Sequence, residues 1–279
     1  IITPLKIESI RKDLETALRA RITSVAIVTM HGYRNPVHEI KLANLAKEIG
    51  FKQISTSHET SPLMKLVGRG DTTVVDAYLS PILKRYIARI QKEVGEIPIY
   101  FMQSNGGLAK ANHFHGKDAI LSGPAGGIVG AVKTAGLSGY DKIIGFDMGG
   151  TSTDVSHYNG DYERAYETVV AGVRMRTPMM NIHTVAAGGG SILHYDDQRF
   201  RVGPDSAGAS PGPACYRNDG PLTVTDCNLL LGFIQPEYFP KTFGKEANQE
   251  LDFDIVRKKF NEIASVNNEK IEDIAEGFL

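Results

Sequence analysis

Along the first hundred residues the apolar positions alternate between a helical period and short continuous runs, a pattern that predicts helices interleaved with strands. Ile7, Ile10, Leu14 and Leu18 recur at helical spacing almost as soon as the chain begins at Ile1, so the sequence reads as a piece excised from something longer. Residues 25–30 (VAIVTM) form a β-rich run, Val37–Ile49 is amphipathic, and residues 54–57 predict a short strand. Residues 71–94 predict a long helix with Tyr78, Leu79, Ile82, Leu83, Tyr86, Ile87 and Ile90 along its apolar side. Asp71 is its expected N-cap, and Asp76 falls in its first turns, where negative charge is favoured. Residues 97–101 (IPIYF) read as another buried strand, and the alternation as a whole predicts a mostly parallel α/β layer.

The pattern shortens further on. Residues 122–130 (SGPAGGIVG) predict a helix start with Ser122 as cap and Pro124 in the first turn. Ile143, Ile144 and Phe146 predict a buried strand ending at Asp147, and a second strand starts at Thr153. Asn159-Gly160-Asp161 is a turn signal leading into residues 162–170, so three consecutive antiparallel strands are expected after Lys142. Residues 175–180 read as a connection or short helix, 196–198 as a turn with 200–202 as its return strand, and 203–215 as a long irregular segment. Thr225-Asp226 is the expected cap of a helical run at 228–231, and two helices follow residue 251, the first with Phe253, Ile255, Val256, Phe260 and Ile263 on one side.

Length and charge narrow the class. A chain of 279 residues suits one large or two ordinary domains. Its 31 basic and 32 acidic residues balance, so no broad field points to nucleic acid or to an anionic membrane surface. No apolar run approaches the roughly 20 residues of a membrane span. Two cysteines, Cys215 and Cys227, make neither a disulfide framework nor a metal spacing and suit a reducing cytoplasm.

The candidate chemistry centres on residues 142–158, KIIGFDMGGTSTDVSHY. Gly149 and Gly150 allow the positive φ of a tight turn and a close approach of an anion to the backbone N–H groups. Thr151, Ser152 and Thr153 add hydroxyls, and Asp147 and Asp154 add hard carboxylate oxygens of the type Mg²⁺ takes beside nucleotide phosphates. The alternative is an ordinary polar hairpin. Gln103-Ser104-Asn105-Gly106-Gly107 follows a strand, where open α/β sheets bind ligands, or is a plain Asn-Gly turn. Gly126, Gly127 and Gly130 suit either an anion site at a helix start or close helix packing. Gly188, Gly189 and Gly190 call for a close approach of backbone to something. Cys215 has no base beside it in sequence, and His31, His38 and His58 lack metal-ligand spacing; all four read as structural.

GFDMGGTSTDVS resembles the phosphate hairpin of the actin, Hsp70 and sugar-kinase ATPase superfamily. LSGPAGGIVGA, HTVAAGGGSI, RVGPDSAGASPGPACY, MQSNGGLA and HGYRNPVHE resemble blocks of the hydantoinase A/5-oxoprolinase family, in the same order, from about His31 to about Gly232. The resemblance implies an α/β fold of mixed sheet layers with an actin-like (ribonuclease H-like) ATPase half, divided here into 1–117, an α/β layer domain, and 118–279, the ATPase lobe. It implies ATP and Mg²⁺ as cofactors and a cyclic amide, 5-oxoproline or a hydantoin, opened after phosphorylation of its carbonyl oxygen. A ketone carboxylase component and a non-catalytic actin-like domain remain as alternatives. The roles implied are metal and catalysis for Asp147 and Asp154, nucleotide binding for Gly149, Gly150, Thr151, Ser152, Thr153 and Gly188, Gly189, Gly190, and substrate binding for Ser104, Asn105 and His183. A homo-oligomer and a hydantoinase B-like subunit or domain are further expectations. Only one Asp-Gly hairpin occurs, so a second lobe is expected upstream of Ile1 and the chain alone is expected to be inactive.

Overall fold

A computed structural model of the chain describes residues 5–196, 199–267 and 269–279. In order these form α1 (Ile7–Arg19), β1 (Ser24–Ile27), α2 (Val37–Ile49), β2 (Gln53–Thr56), the single turn α3 (Ser57–Thr60), α4 (Leu66–Val94), β3 (Tyr100–Met102), β4 (Leu108–Lys110), α5 (Gly116–Ala119) and α6 (Ser122–Leu137). Strands β5 (Lys142–Met148), β6 (Thr153–Asn159), β7 (Arg164–Ala165), β8 (Thr168–Val170), β9 (Val173–Met175), β10 (Met179–Met180) and β11 (His183–Val185) follow. The chain closes with β12 (Ser191–Asp196), β13 (Arg199–Ser206), α7 (Val224–Leu230), α8 (Phe253–Asn267) and α9 (Ile271–Phe278). The fold is thus mixed α/β. No helix among the described residues is long and apolar enough to cross a membrane.

Two compact units divide the chain, one of residues 1–143 and 157–181, the other of 144–156 and 182–279. Helices α5 and α6 and the short strands β7 to β10 belong with the first unit, while the turn between β5 and β6 belongs with the second.

In the first unit β1 and β2 pair in parallel, with Ile27 opposite Thr56. The IPIYF run joins no parallel layer: β3 pairs antiparallel with β4 as a hairpin, with Phe101 opposite Ala109. Phe101 stacks on Phe114 at 5.2 Å in a small core with Ile87 and Ala109. Helix α4 starts at Leu66, five residues before the expected cap, so Asp71 lies within it. Its buried face is polar. Arg69, Thr72, Thr73, Asp76 and Ser80 are buried, whereas Tyr78, Ile82 and Tyr86 are exposed. Burying such a face is tolerable only because its groups are bonded. Asp76 accepts from Ser55 Oγ at 2.6 Å, from Ser80 Oγ at 3.2 Å and from the Lys117 amide at 3.2 Å.

The densest polar cluster stands at the carboxyl ends of β1 and β2. Glu39, fully buried on α2, accepts from the Thr29 amide at 2.8 Å, Ser57 Oγ at 2.5 Å, the His58 amide at 2.9 Å and His58 Nδ1 at 2.8 Å. Arg69 completes it, donating to Ser57 Oγ at 2.9 Å, Leu63 O at 3.0 Å and Thr29 O at 2.6 Å, with its guanidinium over the Tyr33 ring. Gly32 has no Cβ because one would collide with the Glu39 carboxylate. Burial works to raise the Glu39 pKa, but the bonds from Ser57, His58 and the two amides outweigh it and hold it below the usual range.

In the second unit β11 is the third strand of the β5–β6 sheet, in the order β11-β6-β5. The expected meander is therefore corrected. The Asn159-Gly160-Asp161 turn forms, with a bridge between Tyr158 and Tyr162, but residues 162–170 break into β7 and β8, which pair with β10 and β9. Residues 175–180 are likewise strand ends, with Met175, Met179 and Met180 buried. Ile144 and Phe146, expected to be buried, are exposed. Residues 197 and 198 of the expected 196–198 turn lie outside the described residues; β12 and β13 pair antiparallel as expected, and β13 runs on to Ser206. The core packs Cys215, Cys227, Leu229, Val256, Phe260, Ile274 and Phe278 together. The N-cap of helix α7 lies two residues before the expected one: it is Thr223, with Asp226 its capping-box partner. Asp226 also accepts the amides of Ala214 at 3.1 Å and Cys215 at 2.9 Å. Burial outweighs these bonds and raises its pKa.

Glu39→Gln is expected to cost about 3 kcal/mol at neutral pH, since it removes charge-assisted bonds from a buried site. The folded-state pKa of Glu39 is depressed, so this stability is present above the unfolded value, about 4.3, and is lost as pH falls through the folded one. Chemical denaturation of both forms from pH 7 down to 3 checks it: the gap narrows in acid.

Candidate active site

Between β5 and β6 the chain turns through residues 149–152, closed by the Gly149 amide on Ser152 O at 2.9 Å. Neither Gly149 nor Gly150 takes the positive φ expected of them. Their value is the missing side chain. The amides of Gly189 and Gly190 donate to Gly149 O at 3.0 Å and Gly150 O at 2.6 Å, laying one glycine backbone against another. A Cβ on Gly188 would stand 2.7 Å from Gly149 O and 2.8 Å from Thr151 N, and one on Gly190 2.8 Å from Gly150 O. The close approach that the three glycines demand is therefore met by the turn itself. Thr225 secures the pair from behind, its amide and its hydroxyl each donating to Gly189 O at 2.8 Å. Thr153 is buried, with its hydroxyl on Ala187 O at 2.6 Å, so that hydroxyl anchors the turn.

The turn's other side stays open. Among the described residues the amides of Gly150, Thr151 and Ser152 have no hydrogen-bond partner, and a Cβ built on Gly150 meets nothing within 4 Å. Gly149 pairs with Ser152, and a Cβ on Gly145 would meet Ser156, a register that sets Asp147 opposite Asp154 on one face of the sheet. Side chains so placed have Cβ atoms about 5 Å apart, and like charges there repel. Thr184, paired with Asp154 in the next strand, donates to its Oδ1 at 2.7 Å. Asp147 is exposed and has no protein partner among the described residues. Among those residues no three His, Cys, Asp or Glu side chains cluster. Two carboxylates beside free amides suit Mg²⁺, which takes one or two carboxylates and fills its shell with phosphate oxygens and water.

Other candidates fall elsewhere. His183 is exposed and pairs with Val155, so it lies on the sheet face opposite Asp154. Ser104, in the first unit, is buried with its hydroxyl on the carbonyls of Asp118 and Ile120, and Asn105 Oδ1 accepts the Gly107 amide at 2.7 Å. Asn105 thus helps close the turn, in which Gly106 has φ +80°, and the Ser104 hydroxyl ties that turn to residues 118–120. The cap of α6 is Leu121 rather than Ser122, and a Cβ on Gly130 would meet nothing. Cys215 and Cys227 are fully buried; burial pushes the Cys227 thiol up to about 12 and Cys215 higher still, so neither is a nucleophile. Missed by the sequence reading were Thr184, Thr225 and Glu39. A signal existed for Glu39, which precedes Leu42 and Ala46 by three and seven residues and so shares their helix face.

The Hydantoinase/oxoprolinase family model matches residues 69–279, and the model of that family's N-terminal region matches residues 1–50. The chain belongs to the hydantoinase/oxoprolinase family. It is 45% identical over its whole length to 5-oxoprolinase 1 of Arabidopsis thaliana and 46% identical over 97% of its length to 5-oxoprolinase of Saccharomyces cerevisiae, and spans 23% and 22% of those proteins. Caprolactamase subunit alpha of Pseudomonas jessenii is 38% identical over 83% of this chain, which covers 35% of it. Among solved structures, nucleotide-free acetone carboxylase superposes with a TM-score of 0.76 at 26% identity, and the ATP-dependent caprolactamase of P. jessenii with 0.71 at 33%. Each likeness covers 99% of this chain, and 40% and 41% of those chains respectively. Of the family-like blocks, HTVAAGGGSI holds the glycines beneath the turn and HGYRNPVHE ends on Glu39.

Gly188→Ala and Gly150→Ala separate the two sides of the turn. The first overpacks backbone against backbone and is expected to cost about 3 kcal/mol, a melting temperature lower by roughly 5–10 °C. The second meets only open space and is expected to melt within about 2 °C of the parent while weakening Mg·ATP binding at least about tenfold. Differential scanning fluorimetry and calorimetry on the full-length protein check both.

Proposed function

We propose that the full-length protein carrying this chain is an ATP-dependent cyclic amidase for a five-membered ring of the 5-oxoproline or hydantoin type, and that residues 147–154 hold its phosphate and metal. The observation that carries this reading is the pair Asp147 and Asp154 set opposite each other beside three unpartnered amides. The 5-oxoprolinase and caprolactamase relatives support the reaction class.

An amide resists water because its nitrogen donates into the carbonyl. Moving the γ-phosphoryl group of ATP onto the carbonyl oxygen removes that resistance. Phosphoryl transfer asks the protein mainly for positioning and charge neutralisation. Asp147 and Asp154 would hold Mg²⁺, which when bound offsets charge on the phosphates. The backbone of Gly149 and Gly150 and the hydroxyls of Thr151 and Ser152 would hold the phosphate, while Thr153 and Gly188, Gly189 and Gly190 serve the nucleotide by fixing the turn. In this reading the hairpin is one half of an actin-like nucleotide clasp, a second lobe and a hydantoinase B-like partner complete the enzyme, and the chain alone does not turn over. The designation of the caprolactamase relative as subunit alpha supports a divided enzyme. The two free thiols suit a reducing cytoplasm.

A second reading, a ketone carboxylase component, is favoured by the likeness to acetone carboxylase and shares the phosphorylation step. ATP hydrolysis stimulated by 5-oxoproline or hydantoin, rather than by acetone with bicarbonate, separates the two.

Asp147→Asn is expected to lower substrate-stimulated ATP hydrolysis by at least about 100-fold. Because Asp147 is exposed and unpartnered, the variant is expected to melt within about 2 °C of the parent. Unchanged turnover on a phosphate-release assay overturns the metal-holding role.

A further inference from the structure

Strand β5 stands at the end of its sheet, in the order β11-β6-β5, so one of its edges has no neighbouring strand among the described residues. The register that pairs Gly149 with Ser152 and sets Gly145 beside Ser156 directs every second residue of β5 toward β6. Ile144, Phe146 and Met148 are the residues between, and their N–H and C=O groups turn outward to the open edge. Their side chains share one face of the sheet. Val155 lies opposite Phe146 on that face, and Val185, paired with Thr153, continues it on β11. Ile144, Phe146 and Met148 are 74%, 70% and 50% exposed, and Val185 is 43% exposed. Asp147 and Asp154 lie on the other face. All of these residues belong to the second unit. The apolar run predicts a buried strand, yet nothing in the second unit buries Ile144 or Phe146. An open edge with large apolar side chains beside it is a template for a further strand, and a contiguous apolar patch of this kind marks an interface.

We propose that a segment of the same polypeptide outside residues 1–279 adds a strand to the open edge of β5 and covers Ile144, Phe146, Met148 and Val185. The chain spans only 23% and 22% of the two 5-oxoprolinases to which it is 45% and 46% identical, so most of the length of such a protein lies outside the matched part. A tethered segment meets the edge at an effective concentration on the order of millimolar. A second copy reaches that concentration only in very concentrated solution, so the tethered segment takes the edge first. Recognition is by main-chain bonds to the N–H and C=O groups of Ile144, Phe146 and Met148, and by alternate apolar side chains laid against the face. Because this cover lies on the face opposite Asp147 and Asp154, it leaves the two carboxylates open. The inference goes beyond the amidase reading and does not rest on it.

The test is Phe146→p-benzoylphenylalanine in the full-length protein, irradiated, digested and read by mass spectrometry of the linked peptides. Position 146 is expected to be joined to a peptide of the same polypeptide from outside residues 1–279, in material that keeps the mass of a single chain. Links confined to residues 1–279 overturn the proposal, as does a link to a second copy, seen as a doubled mass, or irradiation that leaves position 146 unlinked. Should the substituted protein fail to fold, hydrogen exchange on the unsubstituted full-length protein asks the same question. The amides of Ile144, Phe146 and Met148 are then expected to exchange at least about 100-fold more slowly than those of an unpaired chain, independently of protein concentration. Exchange at the unpaired rate, or protection that appears only as the protein is concentrated, overturns the proposal.

Discussion

The turn between β5 and β6 exists in its form because three glycines let a second backbone lie directly beneath it. The two chains meet through N–H to carbonyl bonds at 3.0 and 2.6 Å, with no space for a methyl group at Gly188 or Gly190. This contact consumes the carbonyls of Gly149 and Gly150 on one side and leaves amides free on the other. A row of free amides thus follows from where the carbonyls are tied down, without a positive φ or a helix dipole. The support runs deeper through Thr225 on Gly189, the start of α7, and the Thr223–Asp226 capping box, which also holds the amides of Ala214 and Cys215 in the core. Rigidity at the turn is drawn from the packed interior formed by α7, α8 and α9.

The first unit uses the opposite material. Its central helix buries arginine, threonines, an aspartate and a serine, and its strand ends bury a carboxylate. Such a face costs desolvation and is stable only when nearly every group is bonded. Bonds of this kind are directional, so they fix α2 and α4 against β1 and β2 more narrowly than an oily contact would.

Much was legible from the residues. Helices α1, α2, α8 and α9 came from periodicity, β1, β2 and β5 from apolar runs, and the turn from Asp-x-Gly-Gly followed by hydroxyls. Family-like blocks marked out HTVAAGGGSI and HGYRNPVHE before any contact was known, and the family model then covered residues 69–279. Period succeeded only in part on α4: Ile87 of the expected apolar side is buried with Leu83 packed beside it, but Tyr78, Ile82 and Tyr86 are exposed and a polar stripe is buried as well. A rule that equates apolar with inside cannot see a face buried through hydrogen bonds.

What the sequence determined by itself was local: which segments are helical, where the chain turns, and that glycines 188–190 must lie against something. Tertiary structure alone decided what that something is, because the partner turn lies about forty residues away along the chain. It also decided that β11, not residues 162–170, completes the β6 sheet, since strand pairing is set by long-range backbone bonds that no local period encodes. The same holds for Glu39 and His58. They stand nineteen residues apart on different elements, and only the parallel pairing of β1 with β2 and the docking of α2 bring carboxylate and imidazole to 2.8 Å.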